Sequence, residues 1–233
     1  MNRLNAKAIP AACLAAMFST LMTSPAHAAV LTFRQGVNGY VGATDLTLYK
    51  EVPDNNYASS TSLQVGDPGA YNEKHTLLGF DNLFGNGINQ IPLGSTINVA
   101  NIYVSNTAIT VPATGSVHRM NVGWSDLIST WNSMNGGINN APLGEYEATP
   151  SYAGPLSGYF WDVTSIVQDW SDGTPNFGIA VLPTGGLLGF VSSDSASVNL
   201  RPLLTIDFTP VPEPSPLALL SVLGLALLRR RRG

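Results

Sequence analysis

Side chains able to move protons, hold metals or act as nucleophiles are sparse in this sequence and widely spaced. Beyond the first thirty residues there are two histidines, His75 and His118, and neither has a neighbour at zinc-ligand spacing. The single cysteine, Cys13, lies near the start of the chain, so a disulfide framework and a cysteine-based zinc site are both excluded. No Gly-x-Ser-x-Gly elbow presents a nucleophilic serine. Gly185-Gly186-Leu187-Leu188-Gly189 lacks the Lys-Ser/Thr of a phosphate loop and reads as a turn between strands. These absences leave no catalytic residue to name. Carboxylates are more plentiful. A glycosidase needs two of them roughly 5 to 10 Å apart, a separation that sequence alone does not place. Calcium takes hard oxygen ligands, so Asp45, Asp54 and Asp81, all near expected strand ends, are the candidates for it. No Asp-x-Asn-x-Asn spacing organises them, and solvated or capping acids are the favoured reading.

Charge narrows the partners. Only 11% of the 233 residues are charged, against roughly 25% in ordinary soluble domains. Setting aside Arg3, Lys7 and the run Arg229 to Arg232 leaves five basic groups against fifteen acidic ones, a net −10 where the whole chain has −4. So acidic a body has little attraction for phosphate backbones, which excludes nucleic acid as a partner.

Both ends read as addresses. Arg3 and Lys7 form a positive n-region, Ala8 to Met22 a mostly apolar h-region, and Pro25 precedes Ala26-His27-Ala28, with small residues where signal peptidase reads them. Residues 1–28 are therefore expected to be a signal peptide, cut between Ala28 and Ala29. At the other end Val211-Pro212-Glu213-Pro214 leads into a twelve-residue, mostly apolar block at 217–228, then Arg229, Arg230, Arg231, Arg232 and a final Gly. Twelve helical residues span about 18 Å, short of a hydrocarbon core of roughly 30 Å. The arginines would hold their end cytoplasmic and leave the body outside. This tripartite tail, residues 211–233, resembles the PEP-CTERM sorting signal. The resemblance implies processing by an exosortase in an exopolysaccharide-producing Gram-negative bacterium, with the short transmembrane helix holding the protein at the membrane until then.

Residues 29–210 suit one well-cored domain. Leu46/Leu48, Ala100/Ile102/Val104, Phe177/Ile179/Val181 and Leu204/Ile206/Phe208 alternate, and Asn, Asp, Gly and Pro clusters separate them. Short period-two runs broken by such turns predict an all-β antiparallel sandwich or jelly roll. Two segments depart from that rhythm. Trp124, Leu127, Ile128 and Trp131, and again Val163, Ile166, Val167 and Trp170, fall at i, i+3, i+4 and i+7. Each predicts a short helix with a buried apolar face, the first started by Ser125 or Asp126 and the second capped by Asp162 or Thr164.

The order of landmarks from Thr44 to Phe208 resembles the DNRLRE-type secreted domain, whose relatives include carbohydrate-binding modules with a jelly-roll fold. Pro53-Asp54-Asn55-Asn56-Tyr57, Leu77-Leu78-Gly79-Phe80-Asp81, Ile91-Pro92-Leu93-Gly94, Trp161-Asp162-Val163-Thr164-Ser165-Ile166-Val167-Gln168-Asp169-Trp170 and Asn176-Phe177-Gly178-Ile179 carry it. Gly79 stands where relatives often have Arg, and Asn139 to Gly154 looks like an insertion. The resemblance implies a non-catalytic, exported protein of the cell surface or extracellular matrix. Its domain would be adhesive or structural and bind extracellular polysaccharide through aromatic faces and Asn, Asp and Gln side chains. Signal peptidase and an exosortase would be its processing enzymes. The alternative is a polysaccharide-degrading enzyme, a lyase or glycoside hydrolase.

Overall fold

The computed structural model describes residues 27–69, 71–107, 114–138, 143–148, 151–152 and 158–211. Both sorting segments lie outside these residues, apart from His27, Ala28, Ala29 and Val211. Among the described residues no helix is long and apolar enough to cross a membrane. Residues Ala28–Pro210 form one compact unit, a β-sandwich.

Among the described residues every pairing between named strands is antiparallel. One sheet has five strands in the order β1 (Ala29–Phe33), β12 (Leu203–Thr209), β5 (Thr96–Val104), β9 (Tyr159–Asp162) and β8 (Ser151–Tyr152). The other runs β11 (Leu187–Val191), β3 (Ser62–Gly66), β4 (Lys74–Phe80), β10 (Ile179–Gly185), β6 (Thr114–Met120) and β7 (Leu143–Ala148), with β2 (Ala43–Tyr49) paired along β4. Period-two alternation places Leu204, Ile206, Phe208, Ala100, Ile102, Val104 and Trp161 inward from the first sheet. They meet Leu78, Phe80, Val117, Ile179, Val181 and Phe190 from the second. The turn expected over Gly185–Gly189 is tighter than that. It is confined to Gly185-Gly186, and Leu187–Gly189 already belong to β11. The region that looked like an insertion contributes β7, paired with β6, and β8, paired with β9.

The second predicted helix forms as α1 (Thr164–Ser171), with Ile166, Val167 and Trp170 buried. Val163 takes the cap position, and the Asp162 carboxylate receives the Thr164 N–H at 2.9 Å. The Thr164 hydroxyl instead accepts from the Ala100 N–H, tying the helix to β5.

The first predicted helix does not form. Residues 124–138 fold as successive turns, and Leu127 and Ile128 are 74% and 75% exposed. Ser and Thr side chains compete with the helical ladder for its backbone groups. Ser125 N–H donates to the Ser129 hydroxyl, and the Thr130 and Ser133 hydroxyls receive each other's backbone N–H. The segment instead lies over the outward face of the seven-stranded sheet. There Trp131, Met134 and Ile138 bury Leu46, Leu48, Leu77, Met120 and Ala180 in a second apolar cluster. Leu46 and Leu48 thus face this roof and not the sandwich core. A Cβ at Gly79 would collide with the Thr44 hydroxyl at 2.6 Å, while the edge of Trp124 would stand at ordinary contact distance, 3.5 Å.

Candidate glycan-binding cleft

The loop 34–42 and the loop 81–91 close a cleft of about 350 Å³ against β1, at the edge of the five-stranded sheet. Hydrogen bonds fix each wall. Tyr40 donates its phenol proton to the Asp81 carbonyl at 2.9 Å, and Asp81 N–H donates to the Gly42 carbonyl at 2.7 Å, which joins the two loops. The Tyr40 ring meets Phe33 edge-on, 5.2 Å between centroids. The Gln90 carboxamide spans the second loop, accepting from Gly87 N–H at 2.9 Å and donating to the Asn82 carbonyl at 3.2 Å. It fits because Gly85 has φ +152 and no side chain; a Cβ there would collide with the Gln90 amide.

Asn38, Asn82 and Asn89 line this cleft, and all three hold left-handed backbone, with φ of 51, 58 and 65. Only five residues other than glycine do so among those described, so three of the five converge here. Asparagine tolerates this region better than other residues with a side chain, and such conformations concentrate where structure serves function. Among the described residues none of the three carboxamides has a hydrogen-bond partner. Each therefore presents a donor and an acceptor to whatever enters. Val30, Val41 and Ile88 add exposed apolar surface at the rim.

No lining residue is acidic or basic. Burial, reinforced by the nearby Asp81 carboxylate, holds the Tyr40 phenol above its usual pKa, so it remains neutral. The cleft thus offers hydrogen bonds and apolar contact without a carboxylate or imidazole, and its one phenol proton, on Tyr40, is held by the Asp81 carbonyl.

The sequence-derived metal candidates are dispersed. Asp45, expected near a strand end, sits inside β2 and is buried. Its carboxylate accepts from the Ser192 hydroxyl at 2.7 Å and from the Ser193 N–H, tying β2 to the end of β11. Burial pushes its pKa up to about 6 despite those bonds. Asp54 accepts from the Asn132 amide at 2.8 Å and steadies the roof segment. Asp81 is exposed after β4 and serves the cleft through its backbone. Among the described residues no three His, Cys, Asp or Glu side chains gather where a metal could sit.

Both histidines have structural surroundings. His118 lies in β6, its Nε2 2.8 Å from the Ser116 hydroxyl. His75 is buried beneath the roof, with Nδ1 accepting from Ile138 N–H at 2.9 Å and Nε2 3.3 Å from Glu73.

Residues 42–208 match the family model for carbohydrate-binding module family 96. The chain belongs to carbohydrate-binding module family 96. Membership makes the sandwich a carbohydrate-binding domain, a binding type and not a catalytic one. No curated protein matches the chain. Within this family 96 domain, the loop 81–91 falls inside the matched range, while β1 and residues 34–41 precede it. Eight of the thirteen residues lining the cleft thus lie outside the matched span. Sequence reading found neither Asn38, Asn82 nor Asn89. The turn-rich clusters Asn38-Gly39 and Gly85-Asn86-Gly87 were the only signal, and they mark loops without showing that two of them meet.

Proposed function

We propose that the protein is an exported, non-catalytic polysaccharide-binding protein of the cell surface or extracellular matrix, and that the uncharged cleft at β1 is its glycan site. The observation that carries this is the convergence of Asn38, Asn82 and Asn89 on a cavity whose lining holds no charge. Sugars present vicinal hydroxyls that both donate and accept, and a carboxamide answers both roles. Ring faces are apolar, and Tyr40 and Ile88 supply apolar surface. Binding is favoured over hydrolysis or lyase chemistry because no carboxylate lines the cleft and the proton of its one phenol, Tyr40, is engaged by the Asp81 carbonyl.

The test is a glycan array probed with the full chain, alongside a reducing-sugar assay on whichever glycans bind. Binding without release of reducing ends is expected. Replacing both Asn82 and Asn89 with Gly keeps the left-handed backbone and removes the amides, so affinity should fall at least about tenfold, some 1.4 kcal/mol or more, with little change in melting. Turnover, or unchanged affinity in the double variant, would overturn the reading.

Export and sorting belong to the same proposal. Cleavage between Ala28 and Ala29 is supported by the position of Ala29 as the first residue of β1, since the cut would leave every strand whole. Among the described residues the last strand ends at Thr209, ahead of the box Pro212-Glu213-Pro214, whose prolines lack the N–H that a regular helix needs. The resemblance to PEP-CTERM tails makes an exosortase the protease that processes the tail and the DNRLRE-type surface domains its kin. Glu213→Ala should leave export intact while the unprocessed form accumulates in membranes, and processing at the parental rate, read by intact mass, would refute the assignment.

A further inference from the structure

We infer that the ligand is an extended glycan chain, which leaves the cleft and runs across the outward face of the five-stranded sheet along the row Arg34, Leu203, Tyr103, Phe160. This rests on the cleft being a glycan site and adds the path and length of the chain that fills it.

The row follows from strand register. Leu203 lies opposite Tyr103, and Tyr103 opposite Phe160. Arg34 follows Phe33, whose partner is Leu204, so it extends the same line at the β1 side. Their inward neighbours Phe33, Leu204, Ile102 and Trp161 are all buried, which points the row outward. The Tyr103 and Phe160 rings lie 4.7 Å apart at 44°, and Phe160 is 42% exposed. Gly158 lies close to the pair: a Cβ there would collide first with the Val104 carbonyl and then with the Tyr103 ring, at 2.9 Å.

Beside the aromatic row runs a polar one. Thr32, Thr205, Asn101 and Asp162 are successive cross-strand partners, and each is exposed or half-buried. Thr32 also lines the cleft, so the polar row begins inside it. An aromatic strip flanked by hydroxyl and amide groups matches a pyranose chain, whose ring faces are apolar and whose edges carry hydroxyls.

Arg34 strengthens the assignment. Its Nε is buried without a hydrogen-bond partner among the described residues, and its charge is close enough to be felt by Tyr103. Other cations of the domain are engaged: Lys50 with Glu73, Arg119 with Asp169, Arg201 with two backbone carbonyls. The Arg34 side chain is half-buried, and a bound chain would offer ring or hydroxyl oxygens to the part of its guanidinium that reaches the surface, not to the buried Nε. From β1 to β9 is three strand spacings, about 14 Å, room for roughly three sugar units beyond the one in the cleft.

The experiment uses cello-, manno- and chito-oligosaccharide ladders, from the disaccharide to the hexasaccharide, titrated into the full chain by calorimetry. In the best-bound ladder, affinity should rise with length up to the tetrasaccharide. A Tyr103→Ala, Phe160→Ala double variant should lose about tenfold for the hexasaccharide and little for the disaccharide. The milder Phe160→Ala alone should show the same length dependence with an unchanged melting curve, which guards against misfolding. The Asn82→Gly, Asn89→Gly variant should weaken every length equally. If the aromatic variants bind the hexasaccharide like the parent while the asparagine variant does not, the path is wrong and the cleft stands. If the asparagine variant binds like the parent, the cleft reading falls and the path with it. Binding of no ladder by the parent would overturn both.

Discussion

The outward face of the seven-stranded sheet lies under a roof, and the outward face of the five-stranded sheet meets solvent. On the first, Trp131, Met134 and Ile138 cover Leu46, Leu48 and Leu77, and β4 is buried on both sides for nearly its whole length. On the second, β12 keeps a strict alternation of buried and half-buried residues, and Phe160 and Thr32 are exposed. An apolar outward face would aggregate or demand a cover. The roofed sheet has that face and that cover, so it contributes stability. The other sheet reached a polar and aromatic face that can stay in water, and this leaves it available for a ligand.

The comparison breaks most visibly at Trp131. Its ring packs 4.8 Å from His75 and fills the centre of the roofed cluster. Trp131→Ala should cost about 3 to 5 kcal/mol of unfolding free energy, as large-to-small changes at buried aromatics do. Denaturant titration gives the number, and a loss below about 1 kcal/mol would mean that the roof contributes little.

Two buried ionisable groups, one on each side of the roofed sheet, sharpen it next. Burial raises Asp45 to about 6, so the folded state binds its proton more readily than the unfolded one, and stability falls as pH climbs from about 4 to 6. Burial lowers His75 to about 4 against the opposing pull of Glu73, so stability falls as pH drops from 6.5 toward 4. The two slopes oppose each other across nearly the same window. The parent should therefore be almost indifferent to pH there. Asp45→Asn removes one slope and should lose on the order of 2 to 3 kcal/mol between pH 6.5 and 4.5. Denaturation midpoints at the two pH values decide it; a variant as flat as the parent would show that His75 titrates normally.

The smallest effect belongs to the bare face. Phe160→Ala should change stability by less than about 1 kcal/mol, the scale of one cross-strand pair. A larger loss by the same denaturant titration would make Tyr103 and Phe160 a structural pair.

These contrasts also mark what the sequence disclosed. Alternation announced β2, β5, β10 and β12, because a sheet with one buried face imposes period two on its residues. It did not tell which side each face would see, so Leu46 and Leu48 pointed to a sandwich core when they serve the roof. Trp124, Leu127, Ile128 and Trp131 had helical spacing, but Ser125, Ser129, Thr130 and Ser133 capture the backbone groups a helix would need. Asp45 looked like a capping acid because its partners, Ser192 and Ser193, lie 147 and 148 positions away. The same distance in sequence hid the cleft: an asparagine with positive φ leaves no mark, and Asn38 meets Asn82 only after β1 and β4 have found their places.

Among the described residues β1 and β12 are the first and last strands, and they lie side by side, with Ala29 opposite Phe208. A protein held by its C-terminal segment and gripped by a polymer in the cleft alone, without the path across β5 and β9, would transmit tension through these two strands. Pulled lengthwise, five residue pairs from Ala29–Phe208 to Phe33–Leu204 share the strain together; pulled sideways, they open one after another. The rest of the sandwich would be bypassed. Mechanical strength in such an attachment is set by one short ladder and by the direction of the pull, however stable the core behind it.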